Sequence, residues 1–185
     1  MTLRKLLPGI TLLALLAGCQ SSPSAADAVD ALSASRIAPL PCTSNFVQRA
    51  GALKLANTKA PTDLVDKKSE PLRFANTINV SKPVAELAKV SHLDGGWSSF
   101  ALSIRSQGAQ SISIHLTAAT LPRGTEIWLC APDGTRNEGP YRDAIGGDVW
   151  TPVVTGEEAW LEVLVPTVQE NIFKATLAEV FGGFR

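Results

Sequence analysis

The chain has little of what most enzymes use. Its 185 residues include two His, three Cys, one Tyr and one Met. No HExxH, P-loop or GxGxxG occurs. No GxSxG or GDSGG-type turn is present to raise a nucleophile beside an oxyanion hole. No CxxC or Cys/His cluster has the spacing of a zinc site. Neither sign of charge dominates, with 17 Lys+Arg against 17 Asp+Glu, so the basic face that nucleic acid requires is not expected. There is no internal repeat. These absences leave no catalytic residue, metal ligand or cofactor site to assign.

The N-terminus carries a targeting pattern. Arg4 and Lys5 form a positive n-region, and Ile10–Ala17 is an apolar run shorter than the about 20 residues that span a bilayer. Leu16-Ala17-Gly18-Cys19 then matches a bacterial lipobox, with small residues at the cleavage point. Residues 1–18 are read as a lipoprotein signal peptide and Cys19 as the lipidated residue. Two or three acyl chains there would give stable anchoring. Gln20 stands where an Asp would favour inner-membrane retention, so an outer-membrane location is expected. Without Arg4 and Lys5 the chain has 15 basic against 17 acidic residues, a formal charge of −2. Residues 19–36 are poor in bulky apolar side chains and are read as a flexible tether.

Residues 37–185 suffice for one core. Ala60–Pro71 is the most polar internal stretch and reads as a loop. Around it the pattern is β throughout. Short β-rich runs cover Leu72–Val80, Ala88–His92, Trp97–Ser106, Ser111–Thr117, Glu126–Ala131, Val149–Val154, Glu158–Val165 and Ile172–Val180, and Gly, Pro and Asp punctuate them. Phe100, Leu102 and Ile104 alternate with Ser99, Ala101, Ser103 and Arg105. Ile112, Ile114 and Leu116 alternate with Ser113, His115 and Thr117. Such alternation places one face in a core and one in water. The expected fold is an all-β antiparallel sandwich, jelly-roll-like, of seven or eight strands.

With Cys19 lipidated, Cys42 and Cys130 remain. In the oxidising space beyond the inner membrane they are expected to pair, tying the N-terminal arm to the strand Glu126–Ala131. The candidates for chemistry are thin. His92 and Asp94 could join Ser91 or Ser98 in a Ser–His–Asp set, but adjacent strand residues point to opposite faces. His115 reads as a solvated strand residue. Asp133, Asn137, Glu138, Asp143 and Asp148 offer oxygens in two loops that suit Ca²⁺. Their spacing matches no EF-hand, and Asp133-Gly134 is explained by a turn. Trp97, Trp128, Trp150, Trp160 and Tyr141 raise sugar stacking, although Trp128 and Trp150 read as core.

Glu158–Val165 is the most informative strand. Ala159, Leu161, Val163 and Val165 form a core face, so Trp160, Glu162 and Leu164 point the other way. An apolar pair around one carboxylate resembles a protein interface. The same face could instead be covered by the arm Ile37–Phe46.

A family resemblance is carried by Gly96-Trp97, Ile104-Arg105-Ser106, Gly108-Ala109-Gln110-Ser111, Leu121-Pro122-Arg123-Gly124, Pro132-Asp133-Gly134, Glu138-Gly139-Pro140-Tyr141, Val149-Trp150-Thr151-Pro152, Val153–Glu157 and Glu162–Pro166. Over Leu72–Arg185 the chain resembles the N-terminal non-catalytic region of secreted bacterial trypsin-like proteases of the lysyl endopeptidase type. The resemblance implies a β-sandwich that precedes a protease. The family's catalytic His, Asp and Ser have no counterpart before Arg185, so no protease residue is carried over. Three functions follow as expectations. The first is a lipid-anchored, non-enzymatic binding or accessory module, acting on a secreted protease as inhibitor or folding assistant. The second is the N-terminal part of a serine endopeptidase lacking its catalytic domain. The third is a surface carbohydrate-binding lipoprotein.

Overall fold

The computed structural model describes residues 37–56 and 73–184. The signal peptide, Cys19, the tether and the Ala60–Pro71 loop lie outside the described residues. Eleven strands are present among them: β1 (Gly51–Lys54), β2 (Ala75–Pro83), β3 (Lys89–Leu93), β4 (Trp97–Arg105), β5 (Ser111–Thr120), β6 (Glu126–Cys130), β7 (Asn137–Tyr141), β8 (Val149–Trp150), β9 (Val154–Thr155), β10 (Glu158–Pro166) and β11 (Lys174–Gly183). Two one-turn helices, α1 (Phe46–Arg49) and α2 (Val84–Leu87), and a 3-10 turn (Thr167–Ile172) join them. No helix among the described residues is long and apolar enough to cross a membrane.

The strands form two sheets that pack as an all-β sandwich. The six-stranded sheet runs β1-β4-β10-β6-β7, and β3 also pairs with β4. The five-stranded sheet runs β2-β11-β5-β8, with β9 also on β5. Pairing is antiparallel except between β1 and β4. The alternation seen in the sequence produces the core. Phe100, Leu102 and Ile104 of β4 and Ala159, Leu161, Val163 and Val165 of β10 meet Ile112, Ile114 and Leu116 of β5 and Leu177 and Val180 of β11. Burying each such side chain contributes about 1.5–3 kcal/mol, which makes this layer the main source of stability.

Three departures from the sequence reading have physical causes. The strand count exceeds seven or eight because short strands were not visible as periodic runs. β1 has only four residues, and it packs so closely that a Cβ on Gly51 would lie 2.1 Å from the Leu87 carbonyl oxygen. Asn137 and Glu138, expected in a loop, belong to β7, whose Pro140 is tolerated because Pro suits an edge strand and β7 is the sheet's edge. Gly139 is required there. Its φ is +136°, and an added Cβ would sit 2.6 Å from the Ile127 carbonyl oxygen. The run Val149–Val154 divides into β8 and β9, both bonded to β5.

Tyr141 lies in β7 opposite Ile127. Partial burial, with the Glu138 carboxylate second, holds its phenol above the ordinary tyrosine range. The folded state therefore keeps this proton more tightly than the unfolded chain. The resulting stability is present below the unfolded pKa of about 10 and is lost as pH rises beyond it. Tyr141→Phe is expected to flatten the loss of stability on that alkaline limb, read from urea midpoints. An unchanged slope would exclude Tyr141 as its source.

Candidate functional site

The two outer faces of the sandwich differ. On the six-stranded sheet, Trp160, Glu162 and Leu164 do point away from the main core, as strand parity requires. They are not an open patch: Trp160 is 8% exposed, and Glu162 and Leu164 are fully buried. The arm covers Trp160 and Glu162. Phe46 of α1 stacks on Trp160 at 4.7 Å between ring centres. The Cys42–Cys130 disulfide is formed and pins the arm to the end of β6. The backbone N–H of Cys42 donates to Glu162 Oε2. Arg49 Nη2 sits 2.7 Å from Glu162 Oε1, and the Ser99 hydroxyl donates to that same oxygen at 2.6 Å. Arg49 also donates to Ser99 Oγ and lies over the Phe46 ring at 5.5 Å.

The interface reading of Trp160, Glu162 and Leu164 is thus corrected to an internal clasp. A carboxylate out of water needs several hydrogen bonds and a cation, and Glu162 receives these from Cys42, Ser99 and Arg49. The same clasp buries Ser99 and Ala101, which alternation assigned to the wet side. Arg49 was not picked out from sequence, because a lone Arg in an arm carries no periodic signal.

The outer face of the five-stranded sheet is the more open one. Register aligns Trp150, His115, Glu179 and Asn79 in one row across β8, β5, β11 and β2. Ser113, Phe181 and Thr77 form the next row. Trp150 is 57% exposed; the core assignment made for it is corrected. His115 is mostly covered, not solvated. The Trp150 indole stacks on its ring at 3.6 Å and reaches Phe181 at 5.8 Å. His115 Nδ1 lies 3.2 Å from Glu179 Oε2, and Nε2 lies 3.3 Å from Asp148 Oδ1. A neutral imidazole has one N–H and an imidazolium two, so both contacts are hydrogen bonds only in the protonated ring. Parity could not assign Trp150, since a strand of two residues shows no alternation.

The remaining candidates resolve differently. His92 Nε2 meets Glu170 Oε2 at 2.9 Å, and the buried Ser98 hydroxyl donates to that same oxygen at 2.5 Å. A carboxylate, not the imidazole, therefore receives the serine proton, which is not the relay of a Ser–His–Asp set. Asp133 accepts from the Thr135 backbone N–H at 3.0 Å and from its hydroxyl at 2.7 Å. The backbone bond first and the hydroxyl second hold its carboxyl below the ordinary range, as in an Asx turn. Glu138 pairs with Arg136. Among the described residues no group of three or more His, Cys, Asp or Glu is placed to hold a metal ion. Trp97 is core and Trp128 half-buried. No family model matches the chain.

Proposed function

We propose that the protein is a lipid-anchored, non-enzymatic binding module. Its N-terminal side serves attachment, and the open face of the five-stranded sheet meets the ligand. The observation that carries this reading is the contrast between the two outer faces. One is sealed by the chain's own arm and disulfide, while the other presents an indole that is 57% exposed. An exposed Trp held flat by a neighbouring ring costs little entropy to fix, which suits recognition. The Leu16–Cys19 lipobox supports outer-membrane attachment, and the arm begins on the sealed side. The resemblance to the non-catalytic region of trypsin-like proteases supports a module that accompanies other activities.

Attachment is tested by fractionation. Cys19→Ala is expected to move the protein from the outer-membrane pellet to the soluble fraction. Unchanged sedimentation with membranes would overturn the anchored reading.

A further inference from the structure

We propose that the open face around Trp150 binds a neutral glycan, a proposal that rests on the reading of this face as the ligand surface. A pyranose ring has an apolar face of C–H groups and a rim of hydroxyls. The Trp150 surroundings have the complementary form. His115 stacks on the indole at 3.6 Å, the Phe181 ring lies 5.8 Å away, and 57% of Trp150 is still exposed. Around it lie fixed polar groups on sheet positions. Ser113 lies on the adjacent strand β5, one row along from His115, and a hydroxyl both donates and accepts. The platform is braced before any ligand arrives, because even a neutral His115 ring has one N–H to donate and carboxylate oxygens lie 3.2 and 3.3 Å from its two nitrogens.

Charge selects the ligand class. The carboxylates of Glu179 and Asp148, both beside His115, repel an acidic glycan or a phosphate. A basic peptide would need those carboxylates as counter-ions and the indole as a cation–π partner. Both carboxylates are already directed at His115, which lessens what they offer an incoming ammonium group. A neutral glycan needs an aromatic face and a group that both donates and accepts, which Trp150 and the Ser113 hydroxyl supply.

The test uses the full chain carrying Cys19→Ala, so that no acyl chain interferes. It is run by affinity electrophoresis through gels containing hydroxyethylcellulose, galactomannan or dextran, with alginate as the acidic glycan. Hepta-lysine is titrated separately by tryptophan fluorescence. At least one neutral gel is expected to retard the protein, and alginate none. Trp150→Ala should weaken that retardation about tenfold, the equivalent of one lost stacking contact, whereas Trp150→Tyr should keep most of it. Ser113→Arg, on the strand beside Trp150, should also weaken it and keeps the test readable if Trp150→Ala loses its fold. Absence of retardation in every neutral gel, or retardation unaffected by Trp150→Ala and Ser113→Arg, overturns the glycan proposal. If hepta-lysine alone binds, and does so through Trp150, the surface reading survives and the ligand class falls. If neither probe depends on Trp150, both fall.

Discussion

Arg49→Ala is expected to lower the melting temperature by roughly 10 °C. Removing the cation leaves Glu162 fully buried with the Cys42 N–H and the Ser99 hydroxyl but no counter-charge. Breaking a buried pair from one side costs about 3–5 kcal/mol, and a domain of this size loses about 2–4 °C per kcal/mol. The competing term is the desolvation already borne by the intact pair, which can exceed its Coulombic gain. The two terms are separated by the double variant Arg49→Met/Glu162→Leu. It removes both charges while keeping apolar volume between Phe46 and Ala101, and should recover most of the loss. A shift below about 2 °C for Arg49→Ala, well under the linkage between charge and stability expected here, would mean that water reaches Glu162 and that the clasp is looser than its geometry.

Removing the disulfide should cost still more. Cys42 and Cys130 are 88 residues apart in the chain, and the loop-closure model assigns about 4–5 kcal/mol to such a crosslink. Cys42→Ala/Cys130→Ala is therefore expected to show a urea midpoint far below that of the wild type. The loss should appear with a red shift in tryptophan fluorescence, as Trp160 sheds Phe46. Two free thiols in the denatured, unreduced wild-type protein would remove the basis of this expectation. A double variant that melted like the wild type would show that the Phe46, Arg49 and Glu162 contacts hold the arm unaided.

What the sequence revealed depended on element length. β4, β5 and β10 are nine or ten residues long, enough for alternation to name the core side chains and the sandwich. β10 also showed that Trp160 and Glu162 needed cover, and the arm was one of the covers it allowed. The Cys pair followed from counting. The Trp150–His115 platform did not, because it joins a strand of two residues to a distant one only through register, which sets His115 opposite Trp150. The Arg49–Glu162 pair was hidden for a related reason. Ion pairs between an irregular arm and a distant strand leave no period in the sequence.

The disulfide also decides how the domain takes a mechanical load. A pull applied at the N-terminal side reaches Cys42 before it reaches α1 or β1. There it divides, and the covalent branch enters β6 at Cys130. β6 is flanked on both sides, by β10 and β7, so force passes into a strand held by two ladders. Without the crosslink the same pull would run through α1 into β1, a four-residue strand with one neighbour, and would peel it from the edge of β4 one hydrogen bond at a time. The crosslink makes the arm a strain relief for the sheet it covers.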